Sequence, residues 1–372
     1  MKTRRDFLRR TAAGGIAGII ASGIAPSYSK EVSVKKKGVS LEEAQEVHEK
    51  CLIIDGHNDM PVETVARGKR KLQWNKRDLA YHIDIPRMKE GGFNAGIFIV
   101  GNGLVANIWV TSELILSDIE AYHDDLMLVL SSKDVILAKK KRKIGVIMGV
   151  ESIGHWANGE IDIVRFLYRI GVRSMGIIYI QGPTNRTSGI PTLKDREDER
   201  KNAGGLLPFG FEVVKTCNEL GIVTDLSHIN DKAFYEVLEY STRPPLMSHS
   251  AVFTLGQHYR CLTDDQIKAL ASKGGAMGIT FVRRYIHPDP EKATIDRVVE
   301  HICYVADLVG IDYVGIGSDF DGTTNPVVPE VSQLVHLTRS MMAHGLSEEE
   351  IKKVWGGNFL RVLQKTIDKP GK

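Results

Sequence analysis

Short runs of aliphatic and β-branched residues alternate along this chain with longer segments whose apolar positions recur every three to four residues. The short runs are CLIID (51–55), FNAGIFIV (93–100), KIGVIMGV (143–150), VRSMGIIYI (172–180), GIVTDLS (221–227), PPLMSH (244–249), GGAMGITF (274–281) and DYVGIGSDF (312–320). Each has the length and composition of a strand. Among the longer segments are WVTSELILSDIEAYHDDLMLVL (109–130), PFGFEVVKTCNEL (208–220), TDDQIKALASK (263–273) and IDRVVEHICYVADLVG (295–310), all with helical spacing. Thr263 is placed to cap the start of one helix and Gly310 the end of another. Strand–helix alternation predicts a mainly parallel sheet. Eight such units predict an α/β fold, a TIM-like (β/α)8 barrel in a single domain. An open doubly wound sheet stays open as an alternative, because alternation does not show closure.

The N-terminus breaks this pattern. TRRDFLRR (3–10) is followed by the Gly/Ala-rich TAAGGIAGIIASGIA and then PSYSK. A basic start, a modest apolar run and small residues before a cut describe an export signal. Arg4 and Arg5, followed by Phe7 and Leu8, resemble the twin-arginine type, which carries folded proteins. The expectation is a signal peptide over 1–29, cleaved after Ser29, that engages the twin-arginine export machinery and delivers residues 30–372 to the periplasm. The apolar run is about 15 residues, short of the roughly 20 that a spanning helix needs. An uncleaved amphipathic anchor is the alternative.

Removing the leader changes the charge reading. Lys2, Arg4, Arg5, Arg9 and Arg10 against Asp6 give it +4 of a whole-chain charge of +3, which leaves −1 for the rest. The body also lacks a long basic run interleaved with aromatics, so a nucleic-acid partner is not expected. Four cysteines (Cys51, Cys217, Cys261, Cys303) are scattered, with no C-x-x-C pair. Their spacing shows no pairing.

The chemistry gathers at the ends of the predicted strands. His57 and Asp59 end the first, Glu151 follows the third, His228 follows the fifth, His249 ends the sixth and Asp319 ends the eighth. In a barrel these C-terminal ends meet on one face, where active sites of this fold lie. Three imidazoles and two carboxylates without cysteine suit zinc, manganese or cobalt. Five ligands exceed what one catalytic zinc takes while keeping an open position. Two divalent ions sharing a carboxylate fit better, since such a pair can hold a bridging hydroxide and polarise a carbonyl. Other signals are weaker. GIGSDF starts like a dinucleotide fingerprint but lacks its third glycine, and DFDGTTNPVVPE lacks the turn glycine of a calcium loop. Asp55 and Asp225 could orient nearby imidazoles or cap turns. Tyr285, His287 and His258 could reach the pocket or be ordinary loop residues. Ser227 and Ser248 each precede a histidine, but strand neighbours point to opposite faces, which argues against a serine nucleophile.

As a set, IIDGHNDMP, GVES, GLLPFGFEVVKTCNELGIVTDLSH, MSHS, GQHYRCLTDDQIKALASKGG, GIGSDFDG and GGNFLRVL resemble the membrane (renal-type) dipeptidases, metallopeptidases of the amidohydrolase-like barrels. The resemblance covers nearly the whole chain after the leader. It implies hydrolysis of dipeptides, those with a D-residue within its scope, by two divalent metal ions per chain, with zinc expected. It makes His57 and Asp59 ligands of one ion, Glu151 the bridge, and His228 and His249 ligands of the other. Asp319 matches the family's acid–base carboxylate. Arg260 matches the arginine that grips the dipeptide's terminal carboxylate, a task suited to forked guanidinium donors. A homodimer stays open. Two positions depart from the family pattern. Tyr179 stands where well-studied members carry a substrate-facing histidine, and it can donate one hydrogen bond to an oxyanion but supplies no cation. HYRC carries Cys261 where the family has asparagine. Both changes lie near the expected substrate. Two other classes remain: a metal hydrolase of lactams, N-acyl amino acids or esters, and a non-catalytic exported protein binding metal or a carboxylated ligand.

Overall fold

The computed structural model describes residues 38–72, 74–103, 107–179, 187 and 204–369, which fall in one compact unit, Lys35–Lys372. The expected signal peptide lies outside the described residues. Among the described residues, nine parallel strands form a single sheet: β1 (Ile53–Asn58), β2 (Phe93–Gly101), β3 (Leu126–Leu128), β4 (Ile144–Val150), β5 (Val172–Gly176), β6 (Val223–Asp225), β7 (Leu246–Ser250), β8 (Ala276–Ile279) and β9 (Val314–Ile316). Their order is β2-β1-β9-β8-β7-β6-β5-β4-β3, and a further pairing of β2 with β4 runs from Ala95 opposite Gly145 to Gly101 opposite Val150. That pairing joins the ends of the sheet. Eight strands therefore close into the expected barrel, and the open alternative is excluded.

The ninth strand is a departure from the sequence reading. The segment taken as one amphipathic stretch over 109–130 is a helix, Ile108–Ala121, followed by a turn and then β3. The polar His123, Asp124 and Asp125 lie between the two. β3 pairs with residues 144–146 of β4, while β5 pairs with residues 148–150, so the two follow one another along the same edge.

β1, β4, β5, β7 and β8 are buried at every position, which is why they read as continuous apolar runs rather than alternating ones. Helices cover the outside with the predicted caps. Thr263 accepts from the Gln266 backbone N–H in a capping box before helix Asp264–Ser272, and Gly310 ends helix Ile295–Val309 with φ 100°. Helix Pro208–Leu220 begins on its proline and ends on Gly221, at φ 80°. The C-terminal helix, Asn358–Thr366, packs Phe359, Val362 and Leu363 with Ile54, Ile97, Val223, Leu246 and Ala276. A Cβ at Gly56 or Gly315 would come 2.7 Å from the Phe359 ring, so glycine on β1 and β9 makes the space this plug occupies. Among the described residues, no helix is long and apolar enough to cross a membrane.

Candidate active site

The strand ends bring the six singled-out groups to one place. His57 lies within β1, and Asp59 follows as the residue capping helix Met60–Ala66. The two therefore do not share one extended strand face, yet His57 Nε2 stands 3.4 Å from Asp59 Oδ2. Glu151 follows β4, and its Oε1 lies 2.8 Å from His228 Nε2, 3.5 Å from His57 Nε2 and 3.8 Å from His249 Nε2. His249 is on β7, and its Nε2 is 2.9 Å from that of His228.

The backbone is bent on purpose at the loop positions. His228, Asp319 and Asp321 have φ of 67°, 60° and 66°, the left-handed region that non-glycine residues seldom adopt. Each follows a strand that ends earlier than its apolar run suggests, at Asp225 for β6 and Ile316 for β9. Hydrogen bonds hold the bend: Asp319 N–H donates to His57 O at 3.1 Å, and Asp59 N–H donates to Phe320 O at 2.8 Å. Gly322 completes the loop. A Cβ there would sit well inside contact distance of both Asp59 Oδ2 and Asp319 Oδ1.

Two aspartates support the imidazoles from behind. Asp225 accepts from Ser248 N–H at 2.9 Å, Ser248 Oγ at 2.5 Å and Ser227 N–H at 3.0 Å. Ser248 Oγ in turn lies 3.0 Å from His249 Nδ1 and 3.5 Å from His57 Nδ1. Strand alternation fails here because the β7–β8 register shifts between Met247 and Ser250. Ser248 thus touches the adjacent histidine, contrary to the sequence reading. It is fully buried and bonded to Asp225, so it orients the ring and is no nucleophile. Asp55 accepts from Ser318 N–H and Oγ, both at 2.7 Å, and fixes the β9 end that leads to Asp319.

Charge decides what this cluster can hold. Asp59, Glu151 and Asp319 are all at most 9% exposed. Burial, then the Asp59 charge, pushes the Glu151 carboxyl well up from its ordinary value, against the pull of His57. Burial pushes Asp319 up to about 7, with Asp59 adding to it and His57 opposing. Three carboxylates crowded in a low-dielectric site need compensating positive charge. His57 Nε2 and Asp59 Oδ1 are buried with no hydrogen-bond partner. The ligand atoms of His57, Asp59 and Glu151 lie within 4.8 Å of one another, as do those of Glu151, His228 and His249. Hard carboxylates, imidazoles and unpartnered lone pairs fit divalent cations. His57, Asp225 and His249 form a third such group, but the bonds from both serines commit Asp225 to support.

A cavity of about 70 Å³ opens on this cluster, lined by Asp59, Glu151, His228, His249 and Asp319 together with Tyr179, Tyr285 and Arg284. The Tyr179 ring is edge-on to His228 at 4.5 Å, and burial keeps its hydroxyl protonated far above neutral pH. Arg260 is 7% exposed, and its Nη2 lies 3.1 Å from Nε2 of His249, which lines the cavity. Its Nε is buried with no partner, and no carboxylate pairs with it among the described residues. The Cys261 thiol donates to the Tyr285 carbonyl at 3.5 Å. His258 stacks on Tyr285 at 4.4 Å, whereas His287 bonds to the Asp289 backbone. None of the four cysteines forms a disulfide. The sequence reading missed Arg284, which carries no local signal.

A closed barrel with buried imidazoles and carboxylates at the C-terminal strand ends is the architecture of a metal-dependent hydrolase. The chain belongs to the membrane dipeptidase family (peptidase family M19), whose sequence model matches residues 41–369. It is 28% identical over 336 residues to dipeptidase tcpJ of Claviceps purpurea, spanning 84% of this chain and 77% of that one. Among solved structures it is similar to dipeptidase AC, a metallo peptidase of family M19, at 27% identity and a TM-score of 0.76, covering 85% of this chain and 99% of that one. A metallo peptidase from Rhodobacter sphaeroides, bound to a phosphinate mimic of the dipeptide L-Ala-D-Ala, gives 26% identity and a TM-score of 0.75, with 84% and 99% covered. The protein is a metallo-dipeptidase of this family.

Proposed function

We propose that this dipeptidase works with two divalent ions, zinc by the donor set, and cleaves the single peptide bond of dipeptides that carry a free C-terminal carboxylate. The observation that carries the reading is the position of Glu151, whose one oxygen lies within 4 Å of three imidazoles contributed by two overlapping ligand groups. His57 and Asp59 would hold one ion, His228 and His249 the other, and Glu151 both. Bound there, the ions supply Lewis-acid polarisation of the scissile carbonyl and a water acidified toward neutral pH.

The chain's own residues do the rest. Asp319, held near neutrality by burial, takes the proton of the attacking water and returns it to the departing amine. Tyr179 remains a neutral donor and steadies the oxyanion where relatives would use an imidazole. Arg260, a buried cation with no carboxylate partner among the described residues, takes the substrate's terminal carboxylate. The Rhodobacter sphaeroides relative binds a mimic of an L,D-dipeptide, which supports extending the substrate range to a D-residue at the C-terminal position.

The test is a two-way comparison of free and amidated dipeptides. Arg260→Ala lowers kcat/KM on free dipeptides by about 30- to 1000-fold, the loss of a charge-assisted pair worth roughly 2–4 kcal/mol. Amidation costs the wild type a similar factor, and the two losses do not add. A variant that still prefers the free acid as strongly as the wild type does contradicts the assignment. Preferential cleavage of N-acyl amino acids, lactams or esters favours the other hydrolase class. Export through the twin-arginine route rests on Arg4 and Arg5; replacing both with lysine should retain the folded protein in the cytoplasm, and unchanged export contradicts it.

A further inference from the structure

Among the described residues, the one guanidinium that lines the cavity is that of Arg284, not Arg260. Arg284 lies on the cavity wall beside Tyr285 and Asp319, exposed at the rim. Its neighbour Arg283 is tied down, with Nε and Nη1 donating to the carbonyls of Asn325 and Ala293. Arg284 has a looser hold: Nη2 donates to the Tyr285 hydroxyl at 3.3 Å, and its Cζ lies 5.2 Å from that ring. Other arginines pair with acids, Arg87 with Asp84 and Glu330, and Arg297 with Glu300. Among the described residues, no carboxylate pairs with Arg284.

The Tyr285 ring relates the two cations. Arg260 Cζ lies 5.8 Å from its centroid and Arg284 Cζ lies 5.2 Å from it. The Tyr285 backbone is pinned to the Arg260 loop by the Cys261 thiol and by Gly256, where a Cβ would run into the Tyr285 carbonyl. A dipeptide whose terminal carboxylate reaches Arg260 therefore places its C-terminal residue near Arg284. Arg284, with no ion-pair partner among the described residues and its guanidinium at the cavity rim, is placed to attract a second negative charge.

Resting on the dipeptidase reading, we propose that Arg284 is a specificity residue that selects dipeptides with an acidic C-terminal side chain. Aspartyl and glutamyl carboxylates can accept the paired donors of its guanidinium, which asparagine and glutamine can match only with one neutral oxygen.

The experiment measures kcat/KM of the zinc-loaded protein on Ala-Asp against Ala-Asn and on Ala-Glu against Ala-Gln. These pairs share shape and differ in charge. Wild type prefers the acidic member by about 10- to 100-fold, mainly through KM. In Arg284→Gln that ratio falls to within about threefold of unity, Arg284→Lys restores part of it, and Arg283→Gln keeps the wild-type ratio. Raising ionic strength lowers the wild-type ratio and leaves that of Arg284→Gln unmoved. The inference is overturned if wild type shows no acidic preference, or if Arg284→Gln keeps it. It is also overturned if Arg284→Gln instead abolishes the preference for free over amidated C-termini, which would make Arg284 the terminal-carboxylate anchor. Failure of the dipeptidase reading looks different, as no dipeptide of either charge is turned over, and it takes this inference with it.

Discussion

Ser248 Oγ lies 3.0 Å from Nδ1 of His249, the residue next to it on β7. The hydroxyl proton is directed to Asp225 Oδ2, 2.5 Å away, so the oxygen is free to accept from Nδ1–H. That fixes the tautomer in which the Nε2 lone pair of His249 faces Glu151 and His228. Ser248→Ala should therefore weaken zinc affinity by about 10- to 100-fold, the range for losing a group that orients a ligand. Competition with a chelator measures it. Unchanged affinity would mean that the ring is held without the serine.

Gly322 makes a sharper steric claim. A methyl group there meets the carboxylates of Asp59 and Asp319 at once. Gly322→Ala should move both by a fraction of an ångström, and misplacement on that scale costs on the order of 100-fold in rate. The loop is at the barrel rim, so the melting temperature should change little. Wild-type kcat/KM in this variant would show that the two carboxylates have slack.

Much of this arrangement is legible in the sequence. β1, β4 and β7 carry buried residues on both faces and read as plain apolar runs, and His57, Glu151 and His249 fall where those runs end. What stays hidden depends on backbone irregularity or on distant partners. The left-handed positions of His228 and Asp319 have no glycine to announce them. Ser248 meets His249 only because the β7 register shifts. β3 follows a helix closely and is three residues long, too short for a period to show. Arg284 reads as one more surface charge until the fold brings it to the cavity.

Acid should loosen the substrate loops through His301. This buried imidazole accepts from Val252 N–H at 3.0 Å through Nδ1, and its Nε2 is 2.9 Å from Ile286 O. It thereby ties the loop bearing Arg260 to the loop bearing Arg284 and Tyr285. Burial, against the Ile286 hydrogen bond, lowers its pKa from 6.5 to about 3. Between those values the unfolded chain binds a proton that the folded one does not. The stability from neutral His301 is complete above pH 6.5 and is lost as pH falls, by about 1.4 kcal/mol per unit. Relative to His301→Gln, wild type should be the more stable at pH 7.5, with the gap narrowing on acidification toward pH 4. Denaturant midpoints at several pH values measure it, and a gap independent of pH contradicts the account.

If Glu151 is shared by two ions that act together on a dipeptide, a zinc titration of chelator-stripped protein, followed by dipeptide turnover and by bound metal, has a distinct outcome. Wild type should gain activity up to about two zinc per chain and plateau there. Glu151→Ala should lose affinity at both sites and lose turnover. Full activity at one zinc per chain, or a Glu151→Ala variant that still binds two ions tightly, would contradict it.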